Sequence, residues 1–282
     1  MRYKPPLTKI YCAVRDKKIP YIVYHYAAFL SIERLGNMPR IKCRTYSGNV
    51  CEQEVFTVAA NRKNLKNAQP IQRFKTDEER ARHRLGMSRR HHARIFNTNF
   101  SPQSLYTTLT LDNENEVHTF SEARQIRDRF IRRLKYGNPD AQIIFYIGRG
   151  KGTSRIHFHM VSNGISEETI RAKWRAGGVM RVERLREHNY YNNVDHGQDY
   201  TGLANYLFDH WTPEQGGHRW KQTKNVRQPE REAPTIIKRE YSESSPPRAP
   251  KGYKLVECKK NNFGYLYYKY VKETEPQPHA RR

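Results

Sequence analysis

The stretch Arg155-Ile156-His157-Phe158-His159-Met160-Val161 decides how this chain is read. Side chains alternate across a strand, so His157 and His159 project from one face while Ile156, Phe158 and Met160 project from the other. A strand of this kind has one apolar side and one side on which two imidazoles can share a metal ion. A half-buried strand with two solvent-facing histidines has the same pattern, so the neighbouring segments carry weight.

Upstream, Leu105-Tyr106-Thr107-Thr108-Leu109-Thr110-Leu111 alternates apolar and hydroxyl side chains with a period of two, as a strand with one wet face does. Residues 141–147 form a continuous apolar strand, and the basic turn Gly148-Arg149-Gly150-Lys151-Gly152 leads from it into the histidine strand, which Asn163-Gly164 ends. Between these, residues 121–136 place Ile126, Phe130, Ile131 and Leu134 on one helical face, with Ser121 as the cap and Gly137-Asn138-Pro139 as the stop. A second helix is predicted over 166–175, with Ser166 as N-cap and Glu167 and Glu168 in its first turn. A strand over 178–185 and a third helix over 201–211 follow. This order predicts an α+β fold, a central antiparallel sheet with helices on one face and the other face open to a polymer.

Around that core, residues 1–60 predict a β-rich N-terminal module, with strands at Tyr21–Tyr26 and Val50–Val58. Residues 61–103 predict a basic helical connector in which Thr76 and Glu79 open a helix. The core spans 104–227, a Pro-rich linker spans 228–251, and a C-terminal β-hairpin with a tail occupies 252–282. Four cysteines (Cys12, Cys43, Cys51, Cys258) read as reduced thiols, with Cys43 and Cys51 placed to face one another across a hairpin.

Charge narrows the partners. The 282 residues carry 52 Lys plus Arg against 28 Asp plus Glu, a net +24, which favours polyanions and makes binding salt-dependent. A membrane surface is the rival anion. No apolar run approaches the roughly 20 residues that span a bilayer, and Met1–Pro6 lacks the apolar core of a signal peptide, so a soluble, intracellular protein is expected without membrane attachment. Arg89, Arg90, Arg149, Lys151, Arg155, Arg219, Lys221 and Lys224 are the candidate phosphate contacts. The glycine turn lacks the Gly-Lys-Ser/Thr ending of a P-loop.

Three features stand in a fixed order: Thr108-Leu109-Thr110, His157-Phe158-His159, and a helix bearing Tyr200 and Tyr206. That order resembles the rolling-circle replication initiators of the HUH endonuclease superfamily. Asn99-Phe100, the segment Gly202-Leu203-Ala204-Asn205-Tyr206-Leu207 and Arg219-Trp220-Lys221-Gln222-Thr223-Lys224-Asn225 look like the replication-associated proteins of filamentous phages and small bacterial plasmids. The resemblance covers about residues 75–230. It implies nicking of single-stranded or supercoiled origin DNA through a 5′-phosphotyrosine, a 3′-hydroxyl left as primer, and strand joining at termination. It also implies a bacterial cytoplasmic setting, with His157 and His159 holding Mg²⁺ or Mn²⁺. Tyr206 is the expected nucleophile and Tyr200 the second candidate. Without a P-loop in the chain, a host helicase is the expected unwinding partner.

Two departures from the family pattern stand out. Many relatives carry a lysine three residues after the nucleophile, where this chain has Asp209, which leaves Arg219, Lys221 and His210 as sources of positive charge. The strand before the histidines, Tyr146-Ile147-Gly148-Arg149, lacks the acid that often completes the metal site, which leaves Asp112, Asp209 or water. Two other functions fit the same sequence: a noncatalytic nucleic-acid-binding protein, and a transposase or relaxase using the same chemistry.

Overall fold

The computed structural model describes residues 39–58, 76–150, 155–210, 218–261 and 264–273. The strand expected at Tyr21–Tyr26, and with it Cys12 and Lys151, lies outside the described residues. In chain order the first elements are β1 (Arg40–Ser47), β2 (Val50–Thr57), α1 (Asp77–Asn99), β3 (Leu105–Thr110), α2 (Phe120–Gly137), β4 (Gln142–Arg149) and β5 (Ile156–Asn163). They are followed by α3 (Glu167–Lys173), β6 (Met180–Arg184), β7 (Tyr190–Tyr191), β8 (Val194–Asp195) and α4 (Thr201–Asp209). The chain ends with β9 (Lys221–Gln222), β10 (Glu230–Arg231), β11 (Thr235–Ile237), β12 (Tyr253–Lys260) and β13 (Leu266–Lys272).

The central sheet is antiparallel and five-stranded, in the order β6-β3-β5-β4-β9, so the histidine strand β5 lies in the middle. One face packs Leu109, Phe145, Phe158 and Met160 against Phe130 and Leu134 of α2, with Trp174 alongside. Burying a side chain of this size is worth about 1.5–3 kcal/mol, which is why the alternation of β3 and β5 is enforced.

The sequence pattern predicts helices on one face only, and here the structure differs. Ile144, Tyr146 and Val161 on the second face pack against Ala93, Ile95 and Phe96 of α1 and against Ala204 and Leu207 of α4. Ile143 to Gly148 of β4 are buried without a break, as in a strand covered on both sides. The second face is therefore partly roofed.

The helix boundaries follow their caps. Thr76 Oγ1 accepts the Glu79 amide, as the sequence predicts. For α2 the cap is Thr119, two residues before Ser121, because Glu122 closes a reciprocal capping box with Thr119.

The second sheet joins the two ends of the chain. Its order is β10-β1-β2-β13-β12, with β11 also on β1, so β13 completes the β1–β2 hairpin. The segment read as an irregular linker supplies β10 and β11 at this edge. Cys43 and Cys51 do not face one another: Cys43 pairs with Glu54 and Cys51 with Tyr46, and both are free thiols, as is Cys258. The two sheets are bridged through α1. Arg94 pairs with Glu52 and Glu54, and Arg90 pairs with Glu54. The Tyr265 and Tyr267 hydroxyls donate to the same two carboxylates. At the hairpin tip, Gly48 has φ +57° and lies so close to Asn97 that a Cβ would sit 2.1 Å from its carbonyl oxygen, so only glycine fits.

Among the described residues, no helix is long and apolar enough to cross a membrane.

Candidate metal centre

His157 and His159 emerge from the middle of the sheet on its second face, opposite Thr110 and Thr108 of β3. The third member of the group comes from α4. His210 follows the last residue of that helix, its amide donates to the Tyr206 carbonyl, and its Nε2 lies 2.8 Å from His157 Nε2. One ring nitrogen from each of His157, His159 and His210 falls within 4.8 Å of the others. No carboxylate joins this group among the described residues. Asp209 pairs with Arg89, and Asp112 accepts from the Asn115 amide. His210 thus stands with His157 and His159 in a group that could hold a metal ion, where the sequence left Asp112, Asp209 or water.

The donor set fits a metal ion. The Nε2 atoms of His157 and His210 stand 2.8 Å apart, within hydrogen-bond distance of each other, so an ion shared by the two would take the place of that contact. His159 is only 4% exposed, and its Nε2 has no hydrogen-bond partner, an unusual arrangement for a buried polar atom. Its Nδ1 lies 2.9 Å from the Tyr106 hydroxyl and 3.2 Å from Thr108 Oγ1. When Nδ1–H donates there, the Nε2 lone pair is left for a metal, the usual outer support of a metal-binding histidine. The hydroxyl-rich strand thus has a stated role, to orient His159.

Electrostatics favours neutral rings, the form that binds metal. Burial, followed by the nearby His157 and His210, pushes His159 down to about 3. Burial and then His210 lower His157. Gly148, opposite His157 on β4, makes the close approach of His210 sterically free: a Cβ there would meet His210 Cδ2 at 2.9 Å and His157 Nε2 at 3.0 Å.

The two candidate tyrosines are treated differently. Tyr206 lies on α4 four residues before His210, so both occupy one helix face. Its ring centroid is 5.1 Å from that of His210 and 6.3 Å from that of His159, and the residue is 51% exposed. Tyr200, at the N-cap of the helix, is 2% exposed and packs 6.3 Å from Phe96. Burial, then Glu187, pushes the Tyr200 phenol well above its ordinary range. The structure brings Tyr206 to the imidazoles and leaves Tyr200 in the core.

The basic candidates divide in the same way. Lys221 and Lys224 are exposed with no side-chain partner among the described residues. Arg90 is held by Glu54 and the Tyr265 hydroxyl, with its guanidinium 5.0 Å from the centre of the Tyr267 ring, and so binds protein rather than phosphate. Arg89 pairs with Asp209. Arg149 lies over Phe120 and donates to the His118 carbonyl. Arg155 is clasped by Leu111, Asn113 and Glu116. Arg219 lies over Phe208 and donates to its carbonyl.

Sequence reasoning missed Arg181, an exposed cation opposite Thr108 on the same sheet face as the histidines. The strand alternation of β6 was the available signal.

The chain matches no protein-family model, no curated protein and no solved structure.

Proposed function

We propose that this chain is an HUH-type, metal-dependent endonuclease and strand transferase that nicks single-stranded origin DNA to initiate rolling-circle replication. The observation that carries this reading is the half-exposed phenol of Tyr206 beside His157, His159 and His210. The net charge of +24 supports a polyanionic substrate.

In this reading His157, His159 and His210 hold the ion, and Tyr106 and Thr108 orient His159. When bound, a divalent ion supplies charge neutralisation at a nonbridging phosphate oxygen, and three nitrogen donors suit Mn²⁺ better than Mg²⁺. Tyr206 Oη attacks the scissile phosphorus and its proton passes to water. The bond from phosphorus to the 3′ oxygen breaks, and that oxygen takes a proton from water and leaves as a 3′-hydroxyl. The 5′-phosphate stays on the phenol, so the reverse transfer rejoins the strand. Lys224 and Arg181 contact the strand, a cellular helicase opens the duplex, and the bacterial cytoplasm is the setting.

The test is incubation of the chain with Mn²⁺ and labelled single strands tiling the replicon that encodes it, followed by a denaturing gel. A covalent protein–DNA band that chelator abolishes, and that His157→Ala and His159→Ala both lose, is expected. A band that persists in chelator, or no band on any strand, contradicts the proposal.

A further inference from the structure

Beyond the imidazoles, on the far side of β4, a cavity of about 260 Å³ opens between α1 and β9. Its lining includes His91, Ile95, His218, Trp220, Gln222 and Gln228. We infer that this cavity takes one nucleobase of the bound single strand, stacked on Trp220 and read by the carboxamides of Gln222 and Gln228. The inference rests on the single-strand reading above and deepens it by naming what chooses the sequence.

Three observations support it. The volume falls below the roughly 300–1,000 Å³ of pockets for drug-sized ligands, which suits one planar ring system. The aromatic wall is fixed in place: Trp220 lies 4.7 Å from His92 and 6.0 Å from Phe208, ring centre to ring centre, and its indole N–H donates to Gln222 Oε1 at 3.1 Å. That bond also sets the Gln222 amide, leaving its NH₂ without a partner among the described residues, as is the whole side chain of Gln228. A rigid aromatic surface with unpaired amide groups beside it is how proteins read unstacked bases.

Placement fits the same strand. Gln222 pairs with Ile144 on β4, one row along from Tyr146, which pairs with His159 on β5. With strands about 4.8 Å apart and rows about 6.8 Å apart, the Gln222 and His159 backbones are about 12 Å apart; α1 and α4 cover Ile144 and Tyr146 between them, so a bound strand passes around that roof. Lys224, two residues beyond Gln222, is exposed and open to phosphate, whereas Lys221 pairs with Phe145 and leaves β9 on the opposite face. Adenine offers a carboxamide an edge donor and acceptor, N6 with N7 or N1, and gives Trp220 a larger stacking partner than a pyrimidine does.

Fluorescence anisotropy of the full chain, without divalent ion, tests this with labelled oligo-dT strands carrying dispersed dA or, at the same positions, a purine deoxynucleotide that lacks the 6-amino group. Wild type is expected to bind the dA strand about tenfold more tightly, the discrimination of one good amide pair. In Gln222→Ala/Gln228→Ala the two strands bind within about twofold of one another. Gln228→Ala alone, at an exposed position, gives part of the same loss and guards against a misfolded double variant. Wild type that does not distinguish the strands, or a preference that survives in Gln222→Ala/Gln228→Ala, overturns the pocket while leaving the nuclease reading intact. Absence of binding to every strand removes the nuclease reading and the pocket with it.

Discussion

At its N-terminal end α4 is gripped by a buried polar network, whereas its C-terminal end presents Tyr206 and His210 at the rim of an open site. The grip starts at Asp199, which accepts from Lys269 of β13 at 2.7 Å and from Thr201 and Asn97. Asn97 in turn accepts the Tyr200 amide, and the Lys269 ammonium also donates to Thr201. Lys269 and Asp199 are both almost fully buried. Although burial alone would raise the Asp199 carboxyl, the nearby His196 imidazole, 3.5 Å away, and the charge and hydrogen bond of Lys269 hold it well below the usual carboxylate range. At the other end, Tyr206 is half-exposed. One nine-residue helix is thus anchored through one terminus and free to meet substrate at the other, and the tyrosines near each end have opposite environments for that reason.

Breaking the anchored end is expected to have the largest effect on folding. Lys269→Met leaves the Asp199 charge buried and unpaired, which costs about 3–5 kcal/mol, readable as a lower urea midpoint. Lys269→Met/Asp199→Asn recovers part of the loss, since no isolated charge remains. A single variant within about 1 kcal/mol of wild type would mean that the anchor does not hold the helix.

At the open end, Gly148→Ala pushes a methyl group against His210 and His157 while leaving the anchor untouched. Metal affinity is expected to fall about tenfold, the lower range for disturbed support of a metal ligand, with an unchanged urea midpoint. Calorimetric titration with Mn²⁺ reads the first quantity.

Acid sharpens the comparison further. His92 is pushed down to about 3 by burial, with His91 nearby, and His159 sits at about 3 as well. Below the ordinary histidine range of about 6.5 the unfolded chain binds protons that these folded imidazoles refuse. Stability therefore rises with pH between about 3 and 6.5 and is lost as pH falls through that window. Asp199, with its lowered carboxyl, adds a loss of the same sign at more acid pH. His92→Gln, which cannot titrate, is expected to flatten the dependence of the urea midpoint between pH 4 and pH 7. An unchanged slope would place the proton-sensitive groups elsewhere.

The smallest expected effect is at the exposed cations. Lys224→Ala should weaken single-strand binding uniformly and make the slope of log affinity against log salt shallower by about 0.7.

Much of the core was legible because its elements obey a simple period. The alternation in 105–111 and 155–161 reports one buried face, and it puts His157 and His159 together without any three-dimensional information. The uninterrupted apolar run of β4 also carried a signal, for a sheet covered on both sides, yet α1 buries residues only in its last turns and so hid the second roof. The partner of Arg90 was not legible, because Glu54 lies on a strand distant in sequence. His210 was underread since its relation to the other histidines is tertiary. Its four-residue spacing from Tyr206 was the only local hint, and Gly148, which lets it approach, has no side chain to draw notice.

The most direct test of the central claim is to digest the Mn²⁺-dependent protein–DNA adduct and locate the modified residue by tandem mass spectrometry. The account predicts a nucleotide phosphate on Tyr206, at the open end of α4, and none on Tyr200. Modification of Tyr200, or of a residue on another element, would contradict it.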